Sequence, residues 1–193
     1  MVEDQDFHKV KKIIYVLILL LVFGSKSYSQ NFKLEKLVKL DAPWGSSFIN
    51  DREIIVTEKS GKIKIVNILT SNQKEIEHNL NFLEDGQGGL LDILYKNDFI
   101  YISYTEDRGD RKSSTSIAKA KLNKEKLLFK NIFQANPPIN SGYHFGSRLG
   151  IKDNYLYASV GERGKGMIAQ DASKHPGSII TVSYTHLTLP TKA

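Results

Sequence analysis

Hydrophobic and polar positions follow one grammar three times between residues 45 and 160. Gly45 to Ile49, a polar turn at Asn50-Asp51-Arg52, and Ile54 to Thr57 make the first copy. Gly89 to Leu94, a turn at Lys96-Asn97-Asp98, and Phe99 to Ser103 make the second. Gly146 to Ile151, a turn at Lys152-Asp153-Asn154, and Tyr155 to Ser159 make the third. Each copy is a short strand opened by glycine, an Asp-containing turn, and a β-branched or aromatic strand that ends on a hydroxyl residue. Further period-two segments lie between the copies. Lys62 to Val66 alternates lysine with apolar residues, and Ser116 to Leu122 with Leu127 to Phe133 predicts a hairpin around Asn123-Lys124-Glu125. No long segment has the 3.6-residue period of a helix.

About four strands per unit of 40–60 residues is the signature of a β-propeller blade. The opening glycines are 44 and 57 residues apart, which suits that unit better than the 8–12-residue turn spacing of a β-sandwich, the rival reading. The expected fold is therefore all-β, an incomplete propeller of about two to three blades, because closure needs at least four.

The two ends are set apart from the fold. Lys9, Lys11 and Lys12 precede an apolar run from Ile13 to Phe23, and Ser27-Tyr28-Ser29 offers small residues for cleavage before Gln30. Residues 1–29 read as a signal peptide, and the expected location is periplasmic or extracellular. The run falls short of the roughly 20 residues of a stable membrane span, although a retained anchor is the alternative reading. At the other end, Thr181 to Thr191 back-translates in one frame onto a transposon-sequencing adapter. Residues 182–193 are accordingly expected to be non-native and residues 30–181 to be the N-terminal part of a longer domain.

Composition narrows the partners. The chain carries 27 Lys and Arg against 21 Asp and Glu, a net +6, but the lysines alternate with apolar residues along strands. That is a solvated sheet face, not a phosphate-tracking stripe, so nucleic acid is not an expected partner. There is no cysteine, which excludes disulfide staples and a covalently attached c-type haem.

Candidate chemistry gathers ahead of the innermost strands, which in a propeller begin at the central channel. Gln87, within Gly86-Gln87-Gly88-Gly89, and His144, within Tyr143-His144-Phe145-Gly146, take equivalent places in consecutive copies and can face one cavity. A histidine flanked by glycines at the mouth of a strand is placed to act as a general base. Taken alone, each residue reads better as a polar turn residue.

Longer strings carry a resemblance. Pro43-Trp44-Gly45, Glu84-Asp85-Gly86-Gln87-Gly88-Gly89-Leu90-Leu91-Asp92, Ser141 to Leu149 (SGYHFGSRL), Val160-Gly161-Glu162-Arg163 and Ala169-Gln170-Asp171 occur in order over nearly all of 40–181. Together they resemble the soluble glucose/sorbosone dehydrogenases dependent on pyrroloquinoline quinone (PQQ), especially the aldose sugar dehydrogenase branch.

The resemblance implies a six-bladed propeller with PQQ over its channel, a calcium requirement, an aldose oxidised at its anomeric carbon to a lactone, and an external electron acceptor. It makes His144 the general base and Gln87 a residue that orients the sugar. Tyr143 is carried as a substrate-contacting position; the glucose-oxidising branch has an acidic residue there, which argues against a glucose preference. The family's PQQ-gripping and calcium-ligating positions fall in later blades, so no cofactor-binding or metal residue is assigned here. Arg148, on a strand, reads as half of a structural ion pair; Arg163 is not assigned to the cofactor; Glu162 and Asp171 are candidate ligands by charge alone. The competing classes are a non-catalytic extracellular binding propeller and a calcium-dependent lactonase, which would show convergent Glu, Asn and Asp ligands in place of a His/Gln pair.

Overall fold

The computed structural model describes residues 11, 12, 14, 15, 32–183, 191 and 192. The expected leader lies outside the described residues except for Lys11, Lys12, Ile14 and Tyr15, which are helical. Among the described residues no helix is long and apolar enough to cross a membrane.

Three antiparallel sheets follow one another along the chain, as the repeat predicts. The first holds β1 (Pro43–Asn50), β2 (Glu53–Glu58), β3 (Ile63–Asn67) and β4 (Gln73–His78) in that order. The second holds β5 (Leu90–Lys96), β6 (Phe99–Asp107), β7 (Ser113–Lys121) and β9 (Lys130–Gln134), while β8 (Lys126–Leu127) leaves it to pair in parallel with β4. The third holds β10 (Gly146–Lys152), β11 (Tyr155–Val160), β12 (Ser178–Ser183) and β13 (Thr191–Lys192). The predicted hairpin after Ser116 forms between β7 and β9, but Leu127 is drawn out of it to the neighbouring blade, where it is fully buried.

Side-chain alternation builds the core between blades. On β6, Ile100, Ile102 and Tyr104 face the first blade and pack with Ile55, Ile63 and Ile76, whereas Tyr101 faces the third and packs with Leu149, Leu156 and Ile180. A central blade is covered on both faces, so six consecutive β6 residues, Ile100 to Thr105, are buried. The outer strand β4 buries only Ile76, which is why its alternation is faint in the sequence. Val182 continues β12 opposite Leu156 and is buried.

The hydroxyl expected to end each second strand has a shared task, although Ser103 lies within β6, whose pairing with β7 continues to Asp107. All three inner strands carry a bulge at the same place, between Pro43 and Ser46, Leu90 and Ile93, and Gly146 and Leu149. There the hydroxyls of Thr57, Ser103 and Ser159 accept the N–H of Gly45, Asp92 and Arg148 respectively. Thr57 then donates to the Leu91 carbonyl of the next blade at 2.5 Å, and Ser103 to the Ser147 carbonyl at 2.7 Å. These bonds staple the inner strands together at the end of the sheets where the site lies.

Candidate active site

The inner-strand register shifts one sequence expectation. Thr105 N–H donates to the Gly89 carbonyl, and Gly161 N–H to that of Phe145, so Gly89 corresponds to Phe145 and not to Gly146. Gln87 is thus the counterpart of Tyr143, and His144 that of Gly88. The two glycines do different jobs: Gly89 precedes its strand with φ +148°, while Gly146 begins its own with φ +71°.

The offset does not separate the residues. Gln87 N–H donates to the Gly142 carbonyl at 2.7 Å, and the Gln87 side-chain carbonyl accepts the His144 N–H at 2.9 Å. The loops before β5 and β10 can approach this closely because of their glycines. A Cβ on Gly86 would sit 2.4 Å from the Gly142 carbonyl oxygen, and Gly86 has φ +56°, open to glycine at no steric cost. Lys59, opening the turn after β2, holds the same loop by donating to the Gly86 carbonyl at 2.8 Å. With one lone pair of its oxygen taken by His144, the Gln87 carboxamide still has both N–H donors to offer a ligand.

His144 itself has φ +50°, an uncommon conformation for a residue with a side chain and a frequent companion of functional sites. Its imidazole is 57 % exposed, so it faces solvent and is not walled into the core. Nδ1 lies 2.5 Å from Oε1 of Glu162. A carboxylate in that position accepts a proton carried on Nδ1, which fixes the tautomer and leaves Nε2 as a bare acceptor. The hydrogen bond from His144 holds the Glu162 carboxyl below the usual glutamate value, with a further contribution from the Gly164 N–H. Tyr143 is 61 % exposed, and its ring stands edge-on to the imidazole, centroids 6.2 Å apart.

All three sequence-assigned residues, His144, Gln87 and Tyr143, therefore meet on one exposed surface. Glu162, read only as a charged candidate ligand, is the partner of the imidazole. The register contains the signal that finds it. Gly146 pairs with Val160, and stepping two residues outward on each strand sets 144 opposite 162. Arg148 behaves as expected, donating to Asp92 at 3.0 Å across the blade junction. Asp171 is occupied by the Ser173 hydroxyl and Lys174, which hold its carboxyl well below the ordinary range. Among the described residues no group of three His, Asp or Glu side chains is arranged to hold a metal ion.

The comparisons bear on the family and the fold. The sequence model of the glucose/sorbosone dehydrogenase family matches residues 40–188. The aldose sugar dehydrogenase YliI of Escherichia coli K12 is 29 % identical over 155 residues, covering 75 % of this chain and 42 % of its own. A crystal structure of the soluble aldose sugar dehydrogenase of Escherichia coli, in the apo form, superposes with TM-score 0.70 at 27 % identity, over 75 % of this chain and 44 % of that one. The PQQ-bound aldose sugar dehydrogenase of Streptomyces coelicolor shares the fold, with TM-score 0.69 at 22 % identity over 78 % of this chain and 47 % of that one. The chain thus spans about two fifths of the length of the curated relative.

Proposed function

We propose, from the premise that this chain belongs to the glucose/sorbosone dehydrogenase family, that it supplies the proton-accepting part of a site oxidising an aldose at its anomeric carbon. The observation that carries the reading is the 2.5 Å contact between His144 Nδ1 and Glu162, which reserves Nε2 for substrate. Converting a C1 hydroxyl to a lactone carbonyl removes two electrons and two protons. His144 Nε2 takes the hydroxyl proton, and the adjacent Glu162 carboxylate stabilises the imidazolium that results. The Gln87 N–H groups donate to sugar oxygens, fixing the hydroxyl towards the imidazole. The exposed Tyr143 ring offers the sugar an apolar face beside the base.

PQQ is the oxidant we propose for the whole protein, since the Streptomyces coelicolor neighbour is PQQ-bound, together with calcium and an external electron acceptor. The residues described here do not make a cradle for a tricarboxylate. Lys59 is engaged with Glu84 and the Gly86 carbonyl, Arg148 with Asp92, and Arg163 with backbone carbonyls. What this chain's own side chains perform is substrate orientation and proton transfer. We further propose export through the segment 1–29, which predicts a mature N-terminus at Gln30 by mass spectrometry.

The test is aldose-dependent reduction of a dye by the full-length protein supplied with PQQ and calcium. Turnover that requires both aldose and PQQ supports the proposal. Full cofactor loading with no turnover on any aldose overturns it.

A further inference from the structure

Arg163 is 2 % exposed, and among the described residues no carboxylate lies within ion-pairing distance of it. A buried guanidinium without a counter-ion is expensive to desolvate, and burial pushes its pKa down to about 10 despite the more distant charge of Asp85. Its donors go instead to main-chain carbonyls. Nε donates to Tyr143 O at 3.2 Å, Nη1 to Ser113 O at 2.8 Å, and Nη2 to Ser141 O and, at 3.5 Å, Ile139 O. Nη2 also meets the Ser113 hydroxyl at 2.9 Å. The guanidinium lies over the Phe145 ring, 3.8 Å from its centroid, and the Arg163 N–H donates to the His144 carbonyl at 3.2 Å.

These contacts form a pattern. Residues 139, 141 and 143, every second position of the segment leading to His144, are gripped by one side chain, and residue 144 by the same residue's backbone. Glu162, immediately before Arg163, takes the imidazole. Ser113 opens β7 in the second blade, so the grip also fixes the segment to its neighbour.

We propose that Arg163 is a positioning residue, a clamp that holds the 139–145 segment so that the His144 imidazole meets Glu162 in the Nδ1-protonated tautomer. The inference takes His144 as the proton acceptor from the reading above. Only arginine supplies five donors in a planar fork; a lysine at 163 keeps the charge but reaches one or two carbonyls.

The experiment is nitrogen-15 NMR of histidine side chains in the full chain, wild type against Arg163→Lys and Ser113→Ala. His78 and His175 report on the fold, and Glu162→Gln serves as the reference for a broken pair. Wild type is expected to show one protonated-type and one bare-type nitrogen for His144. Arg163→Lys is expected to average the two tautomers, as Glu162→Gln does, with His78 and His175 unmoved. Ser113→Ala, which removes one acceptor of the clamp, is expected to broaden the bonded Nδ1 proton without loss of fold, and decides the matter should the lysine variant not fold.

A His144 signature unchanged in folded Arg163→Lys, or in Ser113→Ala where the lysine variant does not fold, overturns the proposal and leaves Arg163 a structural filler. Because the signal is read without substrate, failure of aldose turnover would remove the reaction proposed above while leaving the clamp intact.

Discussion

Replacing Gly161 with alanine puts the geometry beneath His144 to a quantitative test. A Cβ at 161 would stand 1.9 Å from the His144 carbonyl oxygen, 2.5 Å from its carbon and 2.9 Å from the Gly146 nitrogen. All three obstacles are backbone, so no side-chain rotation relieves them. The 144–146 segment must retreat by more than an ångström to reach ordinary contact. That displaces two bonds anchoring it, Gly161 N–H to Phe145 O at 2.9 Å and Arg163 N–H to His144 O at 3.2 Å. Overpacking of this kind costs about 1–3 kcal/mol, and each displaced hydrogen bond about 1 kcal/mol more. Together these give about 3–5 kcal/mol, or a fall in thermal midpoint of roughly 6–20 °C at about 2–4 °C per kcal/mol for a chain of this size. Gly150→Ala is the internal control. Nothing lies within 4 Å of its Cβ position, so its midpoint should hold steady or rise slightly. Differential scanning calorimetry of the two variants decides the point. A Gly161→Ala midpoint within two degrees of Gly150→Ala would refute the close approach of β11's end to His144.

Glu162→Gln keeps the size of the side chain but removes the charge, and a hydrogen bond to a charged group is worth about 1.5–3 kcal/mol, so kcat should fall about 10- to 100-fold in steady-state assays. An undiminished kcat would remove Glu162 from the mechanism. The hydroxyl staples should differ by position: Thr57→Val and Ser103→Ala strand buried groups and should each cost about 1–3 kcal/mol in urea denaturation, whereas Ser159→Ala, half-buried and with only the Arg148 N–H to lose, should cost less. Equal losses at all three would contradict the staple. Acid stability follows from the carboxyls held low. Burial works to raise the Glu58 carboxyl, but bonds from Lys64 and the Asp41 N–H outweigh it, and Lys124 and Asn50 lower Glu53. A lowered carboxyl stabilises the fold above its unfolded value of 4.5, and that stability is lost as pH falls through the folded value. The thermal midpoint should therefore be flat down to about pH 5 and drop below it, and Glu58→Gln should shallow the drop; a profile still flat at pH 3 would be inconsistent with these pairs.

The blades were legible because β6 and its counterparts are long, apolar and set off by Asp-containing turns, features dictated by local chemistry. What escaped depended on neighbours. Alternation placed Leu127 in the hairpin after β7, yet the pull came from the adjacent blade, where its burial is complete. The glycine alignment slipped by one residue because position 89 needs its φ before the strand and position 146 inside it. His144, Gln87 and Tyr143 stand in glycine-rich strings whose order and spacing are specific. Glu162 reads from sequence as a candidate ligand by charge alone, whereas extending the hairpin register two residues sets it opposite His144. Arg163 gave no such signal: nothing in a sequence distinguishes an arginine bound for five main-chain and hydroxyl oxygens from one bound for solvent.

The account stands or falls on His144 Nε2 as the group that takes the sugar's hydroxyl proton. The most direct measurement is kcat of the PQQ- and calcium-loaded full-length protein with His144→Ala against wild type, at saturating aldose and with cofactor occupancy verified for both. Loss of the base predicts a fall of about 10²- to 10⁴-fold with cofactor binding retained. Turnover within a few-fold of wild type would contradict the mechanism.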